Sequence, residues 1–209
     1  MNNPFIADQS YKGINYASKP LPKGEYENCI FDTCSFSKSD ISNIVFLECV
    51  FMDCDLSNVN LKNTTFKETE FKGCKLLGIR FDHCNDFLLS FNFYHCTLNL
   101  SSFYKLKLKN TIFQNCKLIS VDFNESDLTE TQFESCDLQS AIFENSNLEK
   151  VDFRTAFHYT FDPEKNKITR AKFSNRIICT LLVLKPIYQL NGPNTIALCL
   201  CCYWKGKWL

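Results

Sequence analysis

The chain has 209 residues, with 23 basic and 23 acidic side chains that cancel at pH 7. No apolar N-terminal run reads as a signal peptide, and no stretch is long and apolar enough to read as a membrane span. These features exclude a membrane-spanning class and lead us to expect a cytoplasmic protein, with 20 phenylalanines against only 6 glycines and 6 prolines.

Residues 1–24 show no repeat, and Pro20, Pro22 and Gly24 predict an irregular N-terminal cap. From about Tyr26 the chain runs in five-residue blocks. Each block has a small residue two positions before a large apolar one. The large positions run Phe31, Phe36, Ile41, Phe46, Phe51, Leu56, Leu61, Phe66, Phe71, Leu76 and Phe81. The next series is Leu88, Phe93, Leu98, Phe103 and onward to Phe153, so two extra residues enter around 82–87. This slip reads either as a surface bulge that keeps the repeat intact or as a projecting contact loop carrying Asp82, His83, Asn85, Asp86 and Phe87.

Residues 121–155 carry the pattern most clearly, as VDFNE SDLTE TQFES CDLQS AIFEN SNLEK VDFRT. A period of five fits neither common element. On a helix, five residues turn the chain by ~500°, so the apolar side chains form no stripe. On a flat strand, residues five apart face opposite sides. The chain must therefore turn a corner at every block. Four corners close a coil of about twenty residues, and stacked coils bury the apolar positions along one axis. Residues twenty apart then share a face. Leu88, Leu108, Leu128 and Leu148 are expected to stack on one, and Phe93, Phe113, Phe133 and Phe153 on the next.

Blocks fade after Phe153. Residues 156–174 read as a C-terminal cap with a turn at Asp162-Pro163. Residues 175–209 form an apolar tail with no acidic residue and four cysteines.

The blocks resemble the pentapeptide-repeat family, whose consensus is A-(D/N)-L-x-x. The resemblance covers roughly residues 25–173. It implies an all-β fold, a right-handed quadrilateral β-helix of about six coils over residues 25–155. The segment 157–174 resembles the closing segment of gyrase-protecting members, the Qnr-type quinolone-resistance proteins and the microcin B17 immunity factor. Those relatives imply a homodimer through the C-terminus, from which the tail after Ser174 departs.

Thirteen cysteines invite a disulfide or zinc reading. Nine of them, Cys29, Cys34, Cys49, Cys54, Cys74, Cys84, Cys96, Cys116 and Cys136, occupy the small inward slot, where a thiol is a compact apolar filler. Cys199, Cys201 and Cys202 have no matching His/Cys cluster, so no metal and no cofactor is expected. No phosphate loop, HExxH or GxSxG motif occurs, and His83, His95 and His158 lack a patterned nucleophile, so an enzyme is not expected.

Charge is more informative. Residues 25–55 net −6, 56–120 net +5, 121–164 net −9 and 165–209 net +8. The acids Asp122, Asp127, Asp137 and Asp152 sit at the consensus Asp/Asn position. Glu125, Glu130, Glu134, Glu144 and Glu149 do not, and make the surface acidic by choice of residue. Such a run reads either as a solubilising face or as a mimic of duplex DNA. About six coils at ~4.8 Å span roughly 30 Å, and duplex DNA of that length carries about 17 phosphates. The resemblance implies the partners DNA gyrase and topoisomerase IV, bound through these nine carboxylates. A scaffold for another protein partner is the alternative. A third reading makes the basic middle (Lys62, Lys67, Lys72, Lys75, Arg80, Lys105, Lys107 and Lys109) a direct nucleic-acid contact, against which the flanking acids argue by repulsion.

Overall fold

A computed structural model of the protein describes residues 4–174. The expectations placed on residues 175–209, including the C-terminal dimer contact, lie outside the described residues. The chain is an all-β solenoid of short parallel strands. The strands are β1 (Phe5–Ala7), β2 (Ser10–Lys12), β3 (Glu25–Glu27), β4 (Ile30–Asp32), β5 (Val45–Leu47), β6 (Val50–Met52), β7 (Thr65–Lys67), β8 (Thr69–Lys72), β9 (Phe91–Tyr94), β10 (Ile112–Gln114) and β11 (Gln132–Glu134). One face is the four-stranded sheet β1-β3-β5-β7, and a second is the seven-stranded sheet β11-β10-β9-β8-β6-β4-β2. The other two faces are joined by single parallel bridges such as Ser35↔Asp55 and Asp40↔Asn60.

The five-residue period is made by its corners. A residue with positive φ recurs at five-residue intervals, as at Asn28, Thr33, Lys38, Asn43 and Glu48. The Asp or Asn of the block secures many of these turns by accepting the backbone N–H two residues on, as Asp40 does from Ser42 at 2.9 Å and Asp122 from Asn124 at 2.9 Å. Backbone N–H groups donate between coils, for example Asp55 to the Cys34 carbonyl at 3.0 Å. The requirement to pair every buried polar backbone group is thus met between neighbours.

The large inward residues form ladders. Phe31, Phe51, Phe71, Phe93, Phe113, Phe133 and Phe153 are fully buried, and successive rings stack at 4.8–5.2 Å. Phe81, Phe103, Phe123 and Phe143 form a second ladder, meeting the first edge to face. Both geometries suit the ring quadrupole.

The small slot does more than fill space. Cys34, Cys54, Cys74, Cys96, Cys116 and Cys136 are buried in one column. Their thiols reach carbonyls of the preceding coil, Cys54 to Phe31 at 3.2 Å and Cys136 to Phe113 at 3.2 Å. Thr131 and Ser101 do the same at 2.7 Å each. A short side chain with a donor satisfies a second carbonyl lone pair there, which explains Cys, Ser and Thr in the slot. All nine described cysteines are free, eight of them buried and Cys84 half-buried.

The boundaries differ from the sequence expectation at three places. Residues 1–24 are not an irregular cap. Phe5 pairs with Glu25, Ser10 with Ile30 and Asn15 with Ser35, so this segment lays down a coil of its own. Its large positions are Ile6, Tyr11, Tyr16 and Leu21, where tyrosine and the prolines hide the period. At the other end, coils continue through the segment read as a cap. Asn147 pairs with Lys167 and Asp152 with Lys172, and Phe173 stacks on Phe153 at 5.7 Å.

The third difference concerns the slip. Asn85 still follows the twenty-residue spacing, its N–H donating to the Thr64 carbonyl at 2.9 Å, whereas Thr69 pairs with Phe91, twenty-two residues on. The extra residues therefore lie within 86–90 and not at 82–85. Leu88 does not join Leu108, Leu128 and Leu148 in the stack. It turns outward at φ 56° and is 57% exposed. Phe91, in a slot held by Thr69 below and Thr111 above, is buried and touches the rings of Phe66, Phe81, Phe93 and Phe103. An aromatic ring in a small slot occupies the space that the missing large residue leaves.

Candidate partner-binding surface

Every coil points its block-edge residues outward, and those twenty apart line up along the rod. Asp122 therefore shares a line with Ser102 and Ile142, and Asp127 with Lys107 and Asn147. Glu134 sits in β11 beside Gln114 of β10, and Asp137 is bridged to Lys117 and Phe157. The nine acids consequently fall on all four faces. Asp122, Glu125 and Glu144 share one face, Asp127, Glu130 and Glu149 the next, Glu134 and Asp152 a third, and Asp137 lies on the fourth. They form a belt around the rod, and not one acidic face.

Most of the belt is already engaged. Glu125 accepts the Tyr104 hydroxyl at 2.8 Å and meets Lys105 at 3.4 Å; these contacts, the Tyr104 bond first, hold its carboxyl below the usual range. Glu130 is likewise lowered by the 2.6 Å bond from Lys150. Asp127 is half-buried, which disfavours its charge, but bonds from Thr129 and Lys109 outweigh that and lower it. Asp152 is lowered by Arg154 at 2.7 Å, with Lys172 at 3.9 Å beyond. Glu144 meets Lys165 at 3.2 Å and Asp137 meets His158 Nδ1 at 3.0 Å. Among the described residues, Asp122, Glu134 and Glu149 have no ion pair. Glu134 accepts from Gln114 Nε2 at 2.8 Å.

Sequence reasoning missed most of this neutralisation because, Arg154 apart, its cations lie about one coil away. Lys105 and Lys109 were counted with the basic middle, yet the solenoid sets Lys105 under Glu125 and brings Lys109 to 3.2 Å from Asp127.

The residues 82–87 divide. Asp82 lies in a short 3₁₀ turn, Phe81–His83, with its side chain only 8% exposed. Burial opposes its charge, but Arg80 grips both carboxylate oxygens at 2.9 and 2.5 Å and the net effect is a lowered pKa. It belongs to the scaffold. His83 is exposed, with Nε2 4.0 Å from Asp82. Asn85 accepts the Phe87 N–H at 3.1 Å and donates to Thr65 at 3.2 Å, tying the start of the bulge to the coil below. Asp86 and Phe87 then project, Phe87 being 71% exposed beside the outward Leu88. Leu88 was assigned to the core by its period and stands instead at the surface.

Among the described residues no cluster of three or more His, Cys, Asp or Glu side chains could hold a metal ion. No helix there is long and apolar enough to cross a membrane.

Comparison with known proteins bears on the fold. The pentapeptide repeat region profile matches residues 25–92 and 88–156. No curated protein matches the sequence. Among solved structures, a trypsin-treated form of QnrB1, described as a plasmid-mediated fluoroquinolone resistance protein, shares 18% identity with a TM-score of 0.48, covering 90% of this chain and 100% of that one. HetL, a pentapeptide repeat protein involved in heterocyst differentiation regulation from the cyanobacterium Nostoc sp., shares 15% with a TM-score of 0.39, covering 83% and 89%. A pentapeptide repeat protein of the Arabidopsis thaliana thylakoid lumen shares 18% with a TM-score of 0.25, covering 79% and 88%. With the repeat matched over most of the coil-forming residues and seen in the stacked coils themselves, the chain belongs to the pentapeptide-repeat family.

Proposed function

We propose that this protein binds a type II topoisomerase, DNA gyrase or topoisomerase IV, and protects it from quinolones or a peptide toxin by offering a rod of carboxylates where duplex DNA would lie. The observation that carries the reading is the acidic belt, in which residues 121–164 set eleven acids against two bases on outward positions. Carboxylates distributed around successive coils of the rod can address a basic groove that normally reads phosphates. The choice of enzyme follows the resemblance of the repeat and of residues 157–174 to gyrase-protecting members. Asp122, Glu134 and Glu149 would meet the partner's cations first, having no ion pair among the described residues. Phe87 on the bulge would add an apolar contact away from the belt. The function requires shape and charge and assigns no catalytic role to any residue.

The test is gyrase supercoiling in ciprofloxacin with the purified protein titrated in. Recovery of supercoiling is the expected result. A folded protein that gives none at any ratio to enzyme would refute the proposal.

A specific observation favours the second reading, a protein-interaction scaffold with another partner. Internal ion pairs already answer six of the nine belt carboxylates, counting His158 when charged. A surface that neutralises itself is less suited to replace a polyanion. Competition separates the two readings: a DNA mimic is displaced from its enzyme by duplex DNA, and a scaffold's complex is not.

A further inference from the structure

The first coil ends both sheets. β1 closes the four-stranded sheet and β2 the seven-stranded one, and the two strands meet at the corner Asp8–Gln9. Alternate residues of a strand aim their backbone groups at opposite edges. Glu25 donates to the Pro4 carbonyl and Asp8 to the Glu27 carbonyl, so the even-numbered residues around β1 serve the second coil. Ile30 donates to the Gln9 carbonyl and Gly13 to the Asp32 carbonyl, so the odd-numbered residues around β2 do the same. Phe5, Ala7, Ser10 and Lys12 therefore aim their N–H and carbonyl groups out of the open end of the rod. The Ala7 carbonyl is met there by a nearby side chain, Gln9 Nε2 at 2.9 Å.

The other two faces of this coil are closed. Pro20 and Pro22 have no N–H to offer. The Asn15 carbonyl accepts the Lys19 N–H at 3.1 Å, and Asn15 Oδ1 accepts the Ala17 N–H at 3.0 Å. The side chains divide in the same way. Tyr16 and Leu21 are buried on the closed faces, whereas Ile6 and Tyr11 are only half-buried on the open ones, and Phe5 is 62% exposed. Edges that stay free in natural proteins carry proline or charge against pairing, and the Phe-Ile-Ala of β1 has neither.

A single added strand would fill only one of the two open edges. Together they form an L, which a second copy of the same end fills completely. A two-fold axis through the Asp8–Gln9 corner, perpendicular to the rod, lays β1 antiparallel on the second copy's β2. The axis also fixes the register. Asp8 falls opposite the second copy's Gln9, Ala7 opposite its Ser10, Ile6 opposite its Tyr11 and Phe5 opposite its Lys12. In an antiparallel pair, residues that exchange hydrogen bonds alternate with residues that do not. Here the exchanging pairs are Phe5 with Lys12 and Ala7 with Ser10, the four residues whose groups face the open end. Between them Ile6 meets Tyr11 on the inward side and continues the core across the join. Phe5 gains the aliphatic stem of Lys12. Each contact occurs twice, as a self-complementary interface requires. Any other two-fold through this end lays an open edge on a closed face.

We propose that the N-terminal end of the rod is a docking surface for a second copy of itself, joined head to head through β1 and β2. The join adds about eight backbone hydrogen bonds. It uses one coil of each copy, about twenty residues a side, which is the low end for a stable interface, so the dimer is concentration-dependent. The arrangement is independent of residues 175–209 and of the topoisomerase proposal.

Sedimentation equilibrium of the full chain over ~1–500 μM tests it, and a reversible monomer–dimer equilibrium is expected. Ala7→Pro removes an N–H that faces the open end, where the fold does not use it, and weakens association at least ~10-fold. An unchanged thermal unfolding midpoint confirms that this variant is folded. Phe5→Lys and Phe5→Glu probe the register at an exposed position. The lysine meets the second copy's Lys12 and the glutamate meets an opposite charge, so Phe5→Lys associates several-fold more weakly than Phe5→Glu at low salt, and the difference shrinks at high salt. A wild-type chain that stays monomeric throughout overturns the proposal. So does a folded Ala7→Pro chain that associates as the wild type does, and so do Phe5→Lys and Phe5→Glu chains that associate equally.

Discussion

The slip after Phe81 makes a quantitative prediction with a change of sign. Phe91 is 3% exposed, with ring centroids at 5.4 Å from Phe81, 5.0 Å from Phe93, 6.1 Å from Phe103 and 6.3 Å from Phe66. Its slot belongs to a threonine in the coils on either side. Phe91→Thr therefore removes a buried ring with no residue placed to refill the space, at a cost of about 3 kcal/mol or more. For a chain of this size that lowers Tm by roughly 6–12 °C. Deleting Asp86 and Phe87 changes the context. The remaining Cys84-Asn85-Leu88-Leu89-Ser90 is a regular block, and Leu88 regains the large slot between Phe66 and Leu108. Phe91 is then one ring too many, and overpacking of this kind costs about 1–3 kcal/mol. In that background Phe91→Thr should raise stability. Thermal unfolding followed by circular dichroism on the four chains of the cycle reads the coupling directly. Equal loss of Tm from Phe91→Thr in both backgrounds would refute the idea that this ring substitutes for the missing leucine.

Further outcomes follow from the same geometry. Gly73 has φ 65°, and a Cβ there would collide with the Asp53 carboxylate, so Gly73→Ala should cost ~1–2 kcal/mol in urea titration, part of which returns when Asp53→Ala is added. The core thiols should resist alkylation at pH 8, with peptide mapping finding Cys49, Cys74, Cys96 and Cys116 unmodified until the chain is unfolded. Burial pushes Cys49 up to about 12, and the bond with Cys116 followed by burial pushes Cys96 up to about 12. Because the unfolded thiols ionise first, near ~8.5, these groups support the fold fully below that pH. That support is lost as pH rises toward about 12, so stability measured by denaturant midpoint should decline on the alkaline side. Glu134→Lys with Glu149→Lys should change stability by no more than ~0.5 kcal/mol, since neither acid has an ion pair among the described residues, while abolishing binding to a basic partner. Retained affinity in a pull-down at low salt would remove the belt from the interface.

The coil was legible because its signal is redundant. Some two dozen blocks repeat one inward pattern, and a single irregular block such as TQFES cannot hide it. Legibility failed where one residue had to be judged alone. Tyr11 and Tyr16 take large slots in the first coil, but a tyrosine flanked by prolines and lysines does not look like core. Leu88 carries the right period and the wrong position, because counting back from Leu108 assumes that the coil holds twenty residues. The coil holds twenty-two there, and only Phe91 in a threonine's slot betrays where the excess lies.

The surface was legible only as composition. In a solenoid, inward positions answer to the coils above and below, while outward positions answer to solvent and to residues twenty away in sequence. Glu125 and Lys105 read as members of opposite charge blocks, yet they are 3.4 Å apart. Net charge by segment therefore overstates the field of the belt, since long blocks of opposite sign meet as ion pairs across one coil. What survives this cancellation is specific. Among the described residues Asp122, Glu134 and Glu149 have no ion pair, Phe87 and Leu88 stand out at the bulge, and Leu100 combines exposure with a strained backbone. Asp122 also secures a turn of the repeat, but Leu88 and Leu100 are not required at their corners, since asparagine, serine or glycine serves equivalent corners elsewhere on the same rod. A partner's demands are thus to be sought where the coil's own demands have been met and the residue still costs something to keep.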